Sequence, residues 1–275
     1  MNRLQLACCF TVLVWLQGCG HSSERGDQPA TPVRASIANP DHPAAKHIAE
    51  AIASPARLTG DADEDVWRNP EALLQFLGVR PGMRVIDFFA GDGYYSELLA
   101  RAVEQRGTVI AYNNAAYVRY SEPRLTERFR NNRLPNAHRL DEETGELKLE
   151  PASLDAVVFV MAYHDLYWKP SDASESFGDP SAVLAKLYSA LRPGGLVVVQ
   201  DHIANPGGDT ARVVDELHRI DPEVVQRDFA RAGFVLDGRS DGWHHDDDDH
   251  TKPSTDPSVR HMTDQFVFRY KKPEA

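Results

Sequence analysis

Asp87 closes an apolar run, Val85-Ile86-Asp87-Phe88-Phe89, and is followed by Gly91, Gly93 and then Tyr94-Tyr95-Ser96-Glu97-Leu98-Leu99. Strand, glycine-bearing turn and helix in that order carry a definite chemistry. Glycine lets the backbone approach a ligand with no Cβ in the way. The first N–H groups of the helix are unpaired and receive polar or anionic groups. In open α/β sheets such turns hold nucleotide-like ligands at the carboxyl ends of strands. A second pair, His164-Asp165, follows the apolar run 156–162. An imidazole that titrates near neutrality suits general-base work, and His202 and His218 are further candidates for it. His244-His245-Asp246-Asp247-Asp248-Asp249-His250 offers metal-ligand residue types. Adjacent acids on a loop repel one another and stay solvated, so no metal is assigned.

These residues need a sheet to place them. Residues 84–89, 108–112, 138–140, 156–162, 196–200, 234–238 and 265–270 read as strands. The run 156–162 is continuously apolar, as a central parallel strand buried on both faces should be. Residues 94–103, 122–132, 181–191, 212–220 and 222–232 read as helices. Arg192-Pro193-Gly194-Gly195 reads as the stop between a helix and the strand at 196. The alternation predicts an α/β fold: a Rossmann-like, doubly wound, mostly parallel seven-stranded sheet with right-handed crossovers. Upstream, 44–53 and 63–77 are helical, the second divided at Pro70, which ends one piece at Asn69 and opens another. The expected organisation is a helical extension at 44–78 before an α/β domain at 79–275.

The chain has 275 residues, and its 30 basic against 41 acidic side chains give a net charge of −11. That balance argues against a nucleic-acid partner, which needs a basic face. Met1-Asn2-Arg3 precedes an apolar run at 4–16 that is too short to span a bilayer. The run ends in Leu16-Gln17-Gly18-Cys19, which is similar to the lipobox of bacterial lipoproteins. The similarity implies a signal peptide at 1–18, a lipid anchor on Cys19 and a tether at 19–43 rich in Ser, Pro, Gly and Asp. It implies an exported protein on the periplasmic side of a bacterial membrane. The outer membrane is favoured because Gly20, not an Asp, follows Cys19. The only other cysteines, Cys8 and Cys9, lie within the signal, so the processed chain forms no internal disulfide.

Four further features narrow the reading of the glycine turn. Val79-Arg80-Pro81-Gly82-Met83-Arg84-Val85 leads into the first strand, and the second strand ends about 20 residues beyond Gly93, within reach of a ribose. Ser153-Leu154-Asp155-Ala156-Val157-Val158 opens the fourth strand, and Leu191-Arg192-Pro193-Gly194-Gly195-Leu196 the fifth. Together residues 79–200 resemble class I S-adenosylmethionine-dependent methyltransferases. Most of the processed chain is similar to a family of predicted bacterial methyltransferases, many of them exported. That similarity rests on Arg57, Asp61, Asp65, Arg68-Asn69-Pro70, Gly93-Tyr94-Tyr95, Tyr163-His164-Asp165, Asp201-His202, Leu217-His218-Arg219-Ile220-Asp221 and Ala232-Gly233-Phe234, with Phe266 and Lys271-Lys272-Pro273 at the close.

The resemblance implies methyl transfer from S-adenosyl-L-methionine to a small or lipid-like acceptor. It assigns Asp87 to the methionine ammonium, with Gly91, Gly93 and Tyr94 around it. Asn113 falls where an acid commonly holds the ribose hydroxyls, and its amide forms weaker bonds there; equally, it only turns the chain. Asp141 matches the position that meets the adenine amino group, or it belongs to a solvated acidic face with Glu142 and Glu143. His164 and Asp165 fall on the acceptor side, His164 as the base. Phe89 stands where a first glycine is usual. Phenylalanine resists positive φ, so the loop must bend differently or Phe89 must point into the core. The alternative function is a non-catalytic, ligand-binding lipoprotein on the same fold. An NAD-dependent oxidoreductase is disfavoured, because the turn lacks G-x-G-x-x-G and the second strand ends without an acid.

Overall fold

A computed structural model describes residues 43–169 and 177–274. The expected signal peptide, Cys19 and all but the last residue of the expected tether lie outside the described residues.

Seven strands form one sheet: Arg84–Phe88 (β1), Thr108–Asn113 (β2), Ala137–Asp141 (β3), Leu154–Val160 (β4), Leu191–His202 (β5), Val235–Ser240 (β6) and Gln265–Lys271 (β7). Their order is β3-β2-β1-β4-β5-β7-β6. β1 to β5 run parallel, and β7 lies antiparallel between β5 and β6. Ile86 sits level with Ile110 on one side and Val157 on the other, and Val157 is level with Val197. Alternation along the strands splits the core between two faces. Ile86, Phe88, Val157, Phe159, Val197 and Val199 belong to one buried cluster. Val85, Val109, Ala156, Val158 and Val198 belong to the other. The chain order reverses between β1 and β4, and a crevice opens outside the carboxyl ends of strands at such a reversal.

Two departures from the expected elements have local causes. Residues 122–132 were expected as one helix, but residues 115–132 hold two, Ala115–Ser121 (α5) and Arg124–Phe129 (α6), followed by a short 3-10 turn. The Asn114 side chain accepts the Tyr117 N–H at 2.9 Å and so starts α5 early. Pro123, with no N–H to donate, separates the two. β5 begins at Leu191 rather than 196, because Leu191 pairs with Leu154 ahead of a register shift. Gly194, at φ 78°, donates its N–H to the Lys272 carbonyl and bends the strand there instead of ending it.

Three helices precede the sheet: Pro43–Ile52 (α1), Asp61–Arg68 (α2) and Pro70–Leu77 (α3). As expected, α2 stops at Asn69 and Pro70 opens α3. Tyr94–Ala102 (α4) follows the glycine turn, and α1 packs on α4 and α3. Pro180–Ala190 (α7), Thr210–Leu217 (α8) and Pro222–Arg231 (α9) complete the helices of the described residues.

A buried ionic network ties α2 to the glycine turn. Asp61 and Arg128 are both fully buried and paired at 2.7 Å, and Arg128 also donates to Glu97 at 2.7 Å. Arg124 bridges Asp61 and Asp92, a residue of the turn itself. Arg101 and Arg133 complete the set around Glu97. Asp61, Glu97 and Arg128 are the three buried charges of this network, and removing Arg128 takes from the two carboxylates the only cation that is itself buried.

Candidate active site

At the reversal point a cleft of about 2290 Å³ opens, lined by the turn after β1, the start of α5, the segment after β4 and parts of the last loop. Its two banks are built from different materials.

The β1 bank carries the glycine turn. Gly91 and Gly93 have φ of 58° and 81°, and so does Phe89 at 57°. The turn therefore keeps the left-handed conformation at the position where glycine is usual instead of bending differently, and Phe89 points into the core, the second of the two expected alternatives. Its ring is 4% exposed and lies parallel to Tyr117, 9° between planes and 4.5 Å between centroids, with Phe88 and Tyr112 beside it. Left-handed backbone at a bulky residue costs about 1–2 kcal/mol, which this aromatic packing offsets.

Asp87 reaches the cleft floor, and one carboxylate oxygen accepts the Ser96 hydroxyl at 2.6 Å. Burial pushes its pKa up to about 6, against the pull of that hydrogen bond. Tyr94 lines the cleft with its hydroxyl donated to Asp65, and the Arg68 guanidinium lies 4.5 Å over its ring. Gly93 sits behind the surface, where a Cβ would meet Arg128 at 2.9 Å. Alanine would not fit there without displacing the buried arginine.

Two expected contacts are placed otherwise. Asn113 is fully buried, and its amide is spent on one backbone unit: Oδ1 accepts the Gly91 N–H at 3.0 Å, and Nδ2 donates to the Gly91 carbonyl at 2.9 Å. It shapes the glycine turn from behind and, fully buried, does not line the cleft. Asn114, the next residue, lines the cleft. Asp141 lies at the exposed end of β3, paired with Arg139 at 2.7 Å and away from the cleft lining. This is the solvated-face alternative.

The β4 bank holds the histidines. Met161, at φ 52°, turns the chain out of β4 so that His164 and Asp165 face the cleft. Asp201, fully buried at the end of β5, accepts both the His164 backbone N–H at 2.9 Å and its ring Nδ1–H at 2.8 Å. That leaves Nε2 facing Asp165, 3.4 Å from Oδ1. Burial lowers the His164 pKa, but Asp165 and Asp201 outweigh it and hold it up at about 9. Burial takes His202 down to about 3, and burial together with the His164 charge lowers His218. The His202 and His218 rings lie close to His164, at centroid separations of 6.1 and 5.8 Å. The two banks meet through Tyr117, which stacks on Phe89 and donates its hydroxyl to Asp165. No feature of the sequence singled Tyr117 out. The 244–250 run closes on itself, with His244 between Asp264 and Asp246 and His250 against Asp264.

Residues 86–199 match a family described as methyltransferase domain. That match spans under half of the chain, and the chain has the class I methyltransferase fold. An S-adenosylmethionine-dependent methyltransferase from Aquifex aeolicus shares that fold at a TM-score of 0.52, with 17% identity over 77% of this chain and 94% of its own. The [4+2]-cyclase SpnF matches at a TM-score of 0.53, with 15% identity over 88% of this chain and all of its own. Anamorsin homolog 2 of Picea sitchensis is 33% identical over 102 residues, 37% of this chain and 28% of that protein. The chain thus spans under a third of that relative's length.

S-adenosylmethionine is the cofactor of this domain, and the residues present fit it. The Asp87 carboxylate is buried on the cleft floor, hydrogen-bonded by Ser96 through its hydroxyl and its backbone and paired with no cation among the described residues, as a group awaiting an ammonium would be. The Ser121 hydroxyl is buried without a hydrogen-bond partner on the cleft wall, 3.8 Å from where a Gly91 Cβ would stand. Asp87, Gly91, Asn114 and Ser121 would hold the cofactor, which supplies a methyl group bound to a sulfonium.

Proposed function

We propose that the protein is an S-adenosylmethionine-dependent methyltransferase acting on a small or lipid-like acceptor that enters beside His164 and Asp165. The observation that carries this reading is a single cleft with the glycine turn and Asp87 on one bank and the Asp201-oriented His164 on the other. Methyl transfer needs alignment of acceptor and methyl group and exclusion of water. The aromatic wall of buried Phe89 and half-buried Tyr117 and Phe177 supplies the apolar side of the cleft. His164 and Asp165 are the catalytic residues of this reading; the His164 imidazole receives the acceptor's proton in its neutral form, which the raised pKa makes the minor form near neutral pH.

Titration of the purified full chain with S-adenosylmethionine tests the proposal. Saturable binding below about 1 mM is expected, and its absence would refute the reading. The second reading, a ligand-binding lipoprotein without transfer activity, is favoured by Phe89 and by the Asn113 amide being spent on Gly91. It predicts no cofactor binding in the same titration. A cyclase on this fold is a reminder that the fold by itself does not fix the reaction.

The proposal includes the family of exported bacterial methyltransferases and anchoring through lipid on Cys19, on the periplasmic side of the outer membrane. It is supported by the lipobox-like Leu16-Gln17-Gly18-Cys19. Labelled palmitate should enter the wild-type chain and not the Cys19→Ser variant; label retained in the variant would remove the anchor.

A further inference from the structure

We infer that His164, Asp165 and His218 form a binding site for a divalent transition-metal cation of the zinc class, open to the cleft. One ligand atom from each of the three lies within 4.8 Å of the others. His164 Nε2 and Asp165 Oδ1 are 3.4 Å apart. Two ligands bound at about 2.0–2.1 Å in tetrahedral geometry stand roughly 3.3 Å from each other, so this edge is already at its ligated length.

The surroundings are those of a metal centre. His164 gives its Nδ1–H to the buried Asp201 carboxylate, which fixes the ring and leaves Nε2 as the free ligand. A carboxylate behind a ligating histidine is the usual outer-shell support of such sites. Asp165 keeps its second oxygen on the Tyr117 hydroxyl, which holds the carboxylate in place. The His218 ring packs against Trp168 and His164, and its Nδ1 is buried without a hydrogen-bond partner. His218 also sits in the left-handed conformation, φ 46°, at the end of α8, a costly backbone position for a histidine. Ligation gives this ring the polar partner it lacks.

Two imidazoles and one carboxylate select a borderline transition ion over Mg²⁺ or Ca²⁺, which prefer oxygen. Three protein ligands leave a position free on the cleft side. A cation there would hold an acceptor hydroxyl or thiol and lower its pKa, its proton leaving to water, with His164 then a ligand rather than the base. That consequence rests on the methyl-transfer reading; the binding site does not.

The test is calorimetric titration of the metal-stripped full chain with zinc sulfate, without S-adenosylmethionine, with magnesium sulfate as the control. One zinc per chain is expected, with no magnesium uptake. His218→Ala and Asp165→Asn should each weaken zinc binding at least about tenfold. His244→Ala, whose ring is already held by Asp264 and Asp246, should leave it unchanged. Cobalt(II) added to the wild-type chain should give visible absorption bands of a low-coordinate nitrogen–oxygen site, a readout that needs no variant to fold. No saturable zinc binding, or zinc binding lost in His244→Ala and kept in His218→Ala, overturns the site. Zinc binding without cofactor binding would sink the methyltransferase reading and leave the metal site standing; cofactor binding without zinc would do the reverse.

Discussion

The two banks of the cleft differ in how completely their polar groups are satisfied. On the β1 bank the Asn113 amide is closed onto Gly91, and the turn's Asp92 is tied to Arg124. On the β4 bank three histidines crowd two carboxylates, and one ring has no hydrogen bond. A closed network rigidifies the backbone around it, whereas an incomplete one is poised for a ligand. The contrast separates a bank that holds a shape from a bank that awaits a partner. Breaking each in turn should give effects of different kind as well as size.

The largest effect is expected from Arg128→Met. The substitution keeps the volume but strands Asp61 and Glu97, both fully buried, without their shared cation. A loss of about 3–5 kcal/mol should appear as a lower urea midpoint. The extension helices should loosen from the turn in the same variant, read as new proteolytic cleavage between α1 and α3. Stability unchanged within about 1 kcal/mol would mean that the network is ornamental.

Asp87 gives the next effect, through pH. Its pKa is raised from the ordinary carboxylate value to about 6 by burial, so the folded state holds the proton more tightly than the unfolded chain does. The stability this contributes is complete below the unfolded value and is lost as pH rises through about 6. The swing is on the order of 3 kcal/mol. Cofactor affinity should move the opposite way, since the ionised carboxylate holds the ammonium. Asp87→Asn should flatten the stability curve between pH 4 and 7 and weaken cofactor binding across that range. A wild-type melting temperature that is flat over this range would contradict the assignment.

Much of this was legible in the chain because it depends on local pattern. The continuous apolar run of β4, the Pro70 break and the glycine turn each act through their own residues, and each appears where expected. What could not be read joins residues far apart in sequence. Arg128 meets Asp61 across 67 positions, and nothing in a polar stretch of arginines and asparagines distinguishes the one that is buried. The histidine cluster draws on positions 164, 165, 201 and 218, which only the parallel crossovers bring together. Asn113 stayed open between a ribose contact and a turn of the chain for a different reason: its position at the end of β2 fits either. The same amide geometry serves equally well to satisfy a backbone unit.

Asn113→Asp sharpens that last point. If position 113 faced a ribose, the charged side chain would tighten cofactor binding, because charge-assisted bonds to hydroxyls are stronger. In the structure the substitution instead replaces the Nδ2 donor with an oxygen against the Gly91 carbonyl, setting two acceptors 2.9 Å apart. Stability should fall by about 1–3 kcal/mol and cofactor binding should weaken with it. Tighter binding in this variant would return the residue to the cofactor.

Tyr117→Phe makes the smallest change and addresses the join between the banks. The ring remains, so the stack on Phe89 persists and the glycine turn keeps its wall. Only the hydroxyl that Asp165 accepts is lost. If the banks act independently, S-adenosylmethionine binding should stay within about twofold of wild type, while zinc affinity shifts by less than about tenfold. The zinc shift should be towards tighter binding, because a carboxylate relieved of a hydrogen bond is the better ligand. If instead cofactor binding moves as far as zinc binding, the hydroxyl is transmitting occupancy from one bank to the other. Reciprocity then requires that zinc alter cofactor affinity in the wild type by the same factor that cofactor alters zinc affinity. That equality can be measured directly, by titrating each ligand with the other present at saturation.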